Sequence, residues 1–275
     1  MRSLLLLGAD VNWRSEDTGW SGLHLSANNN NRDVLDLLLS QPGVNVNISS
    51  HRRTTPLMVA CFRGHADIVR RLRQVAGADL NCGDTDGWTA AHAAVYKQQP
   101  RCVEELRMAG AGLDWNLEDS HGRRPLTMAV ELGLADVLQT ILTVPESQLD
   151  LSLTDGRGRN VGQIAVESSE GDRQRCVELL CQDRRVDWNV KNRDGDTPVM
   201  FCIKQGLTGL ARCLINTPQV DLDTVDRDGK YLETVAKERD VNILSLVCRA
   251  NVNSISSRLP ECPVSLTSCV CLLLS

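Results

Sequence analysis

Aromatic side chains are scarce in this sequence: 5 Trp, 2 Tyr and 2 Phe among 275 residues. That disfavours a large sandwich or barrel core and points to helices packed through small residues. No run of about 18 apolar residues occurs, so no membrane-spanning helix is expected. Met1–Leu7 carries one Arg and four Leu, too short an apolar run for a signal peptide. There is no Gly-rich phosphate loop, no GxSxG and no HExxH. The expectation is therefore a protein that is not an enzyme and holds no cofactor or metal. Acids outnumber bases, giving a net charge of -5, and the bases are interleaved with acids, so no nucleic-acid partner is expected.

Cysteine, by contrast, is plentiful and odd in number, at 11. Cys61, Cys102, Cys176, Cys181, Cys202 and Cys213 lie inside helical patterns, where a free thiol acts as a small hydrophobe. Such use implies a reducing compartment, the cytosol or the nucleus.

The stretch Thr54–Asn81 organises the rest. Thr55 can cap a helix, and Pro56 suits the first helical position, where no N–H is needed. Leu57, Met58 and Ala60 give a short apolar helix that Gly64 stops. Ile68, Val69 and Leu72 form the stripe of a second helix, which Gly77 stops in turn. Two such short helices cannot bury their own apolar faces and need copies on either side.

The copies are present. The position of Ala60 recurs at Ser26, Ala94, Ala129, Ala165, Cys202 and Ala236, at steps of 34 to 37 residues. Around it run SGLHLS, TPLMVA, TAAHAA, RPLTMA and TPVMFC, and the endings GADVN, GVNVN, GADLN and DWN also repeat. Asp86-Gly87, His121-Gly122, Asp194-Gly195 and Asp228-Gly229 precede the helix pairs as hairpin turns.

This pattern resembles the ankyrin repeat, a β-turn plus two helices with a T-P-L-H-x-A motif. The resemblance covers residues 1–253 and implies an all-α solenoid of stacked helix-turn-helix units with β-hairpin loops. Complete copies run over 18–50, 51–83, 84–118, 119–154, 155–191 and 192–225, with a degenerate, polar closing copy at 226–253. The copy from Asp155 departs from the motif: NVGQIA replaces TPLHxA and SSEGDRQR lengthens its middle. Met1–Asp17 reads as the end of a copy without its first helix. Either the native chain begins upstream, or this is an imperfect cap. Residues 254–275 carry no repeat and are expected to be disordered. Cys262, Cys269 and Cys271 there lack zinc-site spacing, and neither a ligase-recruiting box nor a prenylation box is complete.

The resemblance also assigns the histidines. His24 and His92 occupy the motif position that hydrogen-bonds the neighbouring hairpin, and His65 is structural. His51 and His121 fall in turns and are expected to be solvated. Partners of such arrays bind a concave groove lined by hairpin tips and first helices. Carried over copy by copy, the groove positions expected to bind are Trp20, Thr54, Phe62, Arg63, Trp88, Tyr96, Lys97, Arg123 and Leu132. Four of the chain's nine aromatics stand among them, flanked by Arg52, Arg53 and Arg124. The expected partner is an extended or helical protein segment with apolar anchors and an acidic edge, bound by a monomer. The alternative use of these aromatics is packing over neighbouring hairpins. Trp115 and Trp188 take the place of the hairpin Val and are expected in the core. The function implied is a non-enzymatic interaction scaffold. The alternatives are a substrate-recruiting adaptor for ubiquitin ligation or signalling, or a regulatory part of a larger protein.

Overall fold

A computed structural model describes residues 8–239 and 241–258, with only the backbone of Val241 and of 251–258. Among these residues there are 14 α-helices and no strands. Six complete pairs come first: α1 Gly22–Asn28 with α2 Arg32–Leu39, α3 Pro56–Arg63 with α4 Ala66–Arg73, and α5 Ala90–Tyr96 with α6 Pro100–Arg107. Then follow α7 Pro125–Glu131 with α8 Ala135–Leu142, α9 Val161–Glu167 with α10 Arg173–Gln182, and α11 Pro198–Lys204 with α12 Thr208–Ile215. The pair α13 Leu232–Arg239 and α14 Val241–Arg258 closes the stack. Helix α14 continues past 253, and the sequence from 259 on, with its three cysteines, lies outside the described residues.

Local chemistry sets the helix ends. Thr55 Oγ1 accepts the Met58 amide at 3.3 Å, with Pro56 in the first turn. Gly64 caps α3 at φ 80°. Gly77 does not stop α4 as expected: the helix ends at Arg73, and Gly77, at φ 82°, belongs to the turn beyond. The extra residues of the fifth copy are folded onto the fourth. The Asp172 amide donates to the Gly133 carbonyl at 3.0 Å, and Gly171 (φ 54°) lies against Gly133 (φ 63°). A Cβ on Gly133 would come within 2.3 Å of the Glu170 carbonyl, so both glycines are required by that close approach.

Each first helix packs on the next first helix and each second helix on the next second helix. The small-residue position permits this spacing: Ala60, Ala94, Ala129, Cys202 and Ala236 are sealed from solvent. One continuous core results. Trp115 and Trp188 are inside it, as expected, although the Nε1 of each is buried without a hydrogen-bond partner among the described residues. Leu25 is 52% exposed, while Val59 at the same register is buried, because no first helix precedes α1 among the described residues.

The expected β-hairpins are turns rather than ladders. Pairing is reduced to two isolated bridges, Arg14 with Ser21 and Val225 with Tyr231. Side chains replace the missing rungs. Asp84, Asp119, Asp155, Asn192 and Asp226 each accept two backbone amides, two and four residues ahead, on one Oδ1.

Candidate protein-binding groove

Those clasps place the groove positions. Asp84 Oδ1 holds the Trp88 amide at 2.8 Å, and Asp119 Oδ1 holds the Arg123 amide at 2.9 Å. The next residue then caps the first helix, so the side chain ahead of it projects beside that helix. The motif histidines fix neighbouring copies to one another, as the resemblance implied. His92 Nδ1 accepts the Thr89 amide at 3.2 Å, which leaves the proton on Nε2 to be donated to the Arg123 carbonyl at 2.9 Å. His24 does the same between the Ser21 amide and the Thr54 carbonyl. Burial lowers the proton affinity of both rings, opposed by these carbonyls. His65 Nε2 meets the Asn28 carbonyl of the preceding copy at 3.1 Å. His51 and His121 are exposed.

Five of the expected residues meet in one cleft of about 340 Å³. Trp20, Thr54 and Trp88 enter it from the turns; Phe62 and Arg63 enter from the end of α3. Met58, Val59 and Ala93 form its apolar floor, and Asp84 and Asp86 form one wall. Two more expected residues join through Phe62 and Trp88. Tyr96 meets Trp88 edge-on with centroids 4.9 Å apart. The Lys97 ammonium stands 4.4 Å from the Phe62 centroid and 5.3 Å from that of Tyr96. Phe62 and Tyr96 remain 40% and 44% exposed, whereas Trp20 and Trp88 are half-buried. The tryptophans pack against the core and also line the cleft.

Arg123 and Leu132 are placed elsewhere. Arg123 turns back onto Asp119, whose carboxylate is fully buried, with Nη2 at 2.7 Å and Nε at 2.9 Å from Oδ2. Leu132 caps α7 and packs half-buried against the core. Arg124, counted among the flanking cations, is buried and paired with Glu118. Arg52 and Arg53 are exposed as expected.

This divides the face in two. From the fourth copy onward its charges neutralise one another. Arg159 lies within 3.2 Å of Glu131 and Glu167 and 2.8 Å of Asp155, and Lys204 bridges Asp196 and Asp226 at 2.6 and 3.0 Å. Over the first three complete copies the face is aromatic, and no carboxylate among the described residues pairs with Arg63 or Lys97. Arg63 Nε is instead held by Asn28 Oδ1 at 2.8 Å. A second cavity of about 350 Å³, between α11 and the closing pair, is lined by Lys204, Arg239 and Ile243 and by no aromatic side chain.

A further set of residues was not recognised as a device from sequence. Asn12, Asn47, Asn81, Asn116 and Asn189 each span two copies with one amide. Each Nδ2 donates to a carbonyl of the next copy (Gly43, Gly77, Gly112, Gln148, Gln219) at 2.7–3.1 Å. Each Oδ1 accepts an amide of that copy (Asn45, Asp79, Asp114, Asp150, Asp221) at 2.7–2.9 Å. The repeating terminal Asn was the available signal. Ser152 interrupts the ladder between the fourth and fifth copies, its hydroxyl donating to Asp150 Oδ1 at 2.6 Å.

Among the described residues no group of three His, Cys, Asp or Glu side chains could hold a metal ion, and no helix is long and apolar enough to cross a membrane.

Comparison with known proteins agrees with this geometry. The family model described as ankyrin repeats (3 copies) matches residues 1–84 and 72–155. The chain is 28% identical over 193 residues to the nuclear factor NF-kappa-B p105 subunit of Gallus gallus, covering 68% of this chain and 19% of that protein. It is 31% identical over 228 residues to the poly [ADP-ribose] polymerase tankyrase of Caenorhabditis elegans, covering 66% of this chain and 10% of that protein. The ankyrin repeat domain of Bcl-3 superposes with a TM-score of 0.73 at 25% identity, covering 84% of this chain and all of that domain.

Proposed function

Because the chain belongs to the ankyrin repeat family, a fold that typically serves as a non-catalytic protein-interaction module, we propose that it is a binding scaffold whose working surface is the cleft of its first three complete copies. One observation carries this reading: Trp20, Phe62 and Trp88, from three successive copies, wall a single cleft of about 340 Å³. Aromatic anchors with an Arg at their edge are the side chains that dominate binding energy at interfaces. The cleft is preformed by buried helices and clasped turns, so little ordering cost attends binding.

The partner proposed is a protein segment, extended or helical, that seats an apolar side chain between the tryptophans. Its acidic residues face Arg52, Arg53, Arg63 and Lys97, which are all exposed. Asp84 and Asp86, which also line the cleft, repel that acidic edge and so restrict how it can lie. We place the protein, as a monomer, in the cytosol or nucleus. The four thiols sealed in the helical core support this, since they serve there as apolar packing.

A second reading comes from the relatives. In p105 and tankyrase the matching segment is a minor share of a longer chain. That favours an array which recruits a partner for another module, whether an adaptor in ubiquitin ligation or signalling or a regulatory part of an enzyme.

The test is affinity purification of the 275-residue chain with mass spectrometry, followed by binding assays with the partner identified. The double variant Trp88→Ala, Phe62→Ala is expected to lose binding at least tenfold, and Lys204→Ala to keep it. Unchanged binding by the double variant with an intact helical spectrum would overturn the proposal.

A further inference from the structure

Two cysteines far apart in sequence meet on the second helices of the fifth and sixth copies. Cys181 is in the last turn of α10 and Cys213 near the end of α12, and these helices pack directly on one another. The two Sγ atoms are 3.5 Å apart, one thiol donating to the other. Both residues are half-buried, whereas Cys61, Cys102, Cys176 and Cys202 are sealed in the core. The pair is thus within reach of a small solvent-borne oxidant, and the core thiols are not.

We propose that Cys181 and Cys213 are a peroxide-oxidisable dithiol that closes into a disulfide between two successive copies. A disulfide needs its sulfurs at about 2.05 Å. An approach of roughly 1.5 Å is therefore required, which side-chain rotation on two already packed helices can supply. The two thiols are unequal. The hydrogen bond shared with Cys181 lowers the pKa of Cys213, while burial and Glu178 oppose that. The Cys213 hydrogen bond raises the pKa of Cys181, and burial adds to it. Attack is assigned to Cys213; the disulfide formed is the same with the two roles exchanged.

The reaction balances with hydrogen peroxide as oxidant. The Cys213 thiolate attacks one peroxide oxygen, the O–O bond breaks, and hydroxide leaves, giving a sulfenic acid at Cys213. Cys181 then loses its proton and attacks that sulfur; the S–S bond forms, the S–O bond breaks, and water leaves. Two sulfurs have given up two electrons to one peroxide, with two waters as the net product.

The experiment treats the full chain with one equivalent of hydrogen peroxide, alkylates it with N-ethylmaleimide under denaturing conditions, and maps the peptides by mass spectrometry. The same mapping is done on full chain carrying Cys262→Ser, Cys269→Ser and Cys271→Ser, and on the Cys181→Ser variant. The expected result is one cross-linked pair holding Cys181 and Cys213 in both the wild-type and triple-variant chains, with two alkylatable thiols lost and both regained on reduction. In the Cys181→Ser chain, Cys213 is expected to give a dimedone-trappable sulfenic acid without a cross-link. Full alkylation of Cys181 and Cys213 after peroxide would overturn the proposal, as would cross-links that join either of them to another cysteine.

Discussion

Asn81 accepts the backbone N–H of Asp114 on Oδ1 at 2.8 Å, while its Nδ2 donates to the Gly112 carbonyl two residues earlier. A single amide therefore fixes the turn of one copy to that of the next. Its reach sets the spacing of the turns, and hence the alignment of Trp20, Thr54 and Trp88 along the cleft.

Asn81→Ala removes both bonds and is expected to cost about 1–2 kcal/mol, the low end for two partly exposed hydrogen bonds. Ser152→Asn restores the missing rung and is expected to stabilise by up to about 1 kcal/mol. Urea midpoints at constant m-value check both. A destabilising Ser152→Asn would show that the fourth and fifth copies meet with different turn geometry.

Acid should weaken the fold through His24 and His92. Burial holds both imidazoles below their ordinary value in the native chain, against the Thr54 and Arg123 carbonyls. As pH falls through about 6.5, the unfolded chain takes up protons first. Stability from these groups is therefore complete above that pH and is lost from there down to the depressed native values. The urea midpoint is expected to be lower at about pH 5.5 than at about pH 7.5. Replacing both histidines with Gln should flatten that difference.

Arg123 and Arg63 should part company under mutation. Arg123 supports the buried Asp119 carboxylate, whose pKa burial would raise but which the guanidinium and the amides of Arg123 and His121 hold below the usual range. Arg123→Ala is expected to cost about 2–3 kcal/mol of stability and to leave partner affinity within a factor of about two. Arg63→Glu should do the reverse, lowering affinity about tenfold or more in a salt-dependent way with little effect on the urea midpoint.

Trp115→Phe is expected to lie within about 1 kcal/mol of wild type, because the lost volume is offset by removing a buried unpaired N–H. Trp115→Ala should cost about 3–5 kcal/mol. Thermal and urea unfolding of the two variants distinguish an unpaired indole from one with an unseen partner.

Much of the fold was legible in the sequence because its causes are local or periodic. Thr55, Pro56 and Gly64 act within one helix, and the Ala60 position repeats because helix-to-helix spacing does. The aromatic members of the cleft were legible for the same reason: a position relative to the motif fixes which way a side chain leaves the turn. Gly77 was misjudged because a left-handed glycine marks a turn as well as it marks a helix end.

Alone, then, the sequence determined the repeat, the helix pairs and the core tryptophans, and its resemblance to the ankyrin repeat implied the linking roles of His24 and His92. Only the tertiary structure decided which charges on the binding face are free. Arg123 in a turn and Arg63 at the end of a first helix are both expected in the groove, but one is held by a buried carboxylate and the other by a neutral amide. It likewise decided that Cys181 meets Cys213 and that Asn81 meets Asp114. Such pairings join different copies, and their geometry depends on how far one copy is rotated and shifted against the next, a quantity no single repeat encodes.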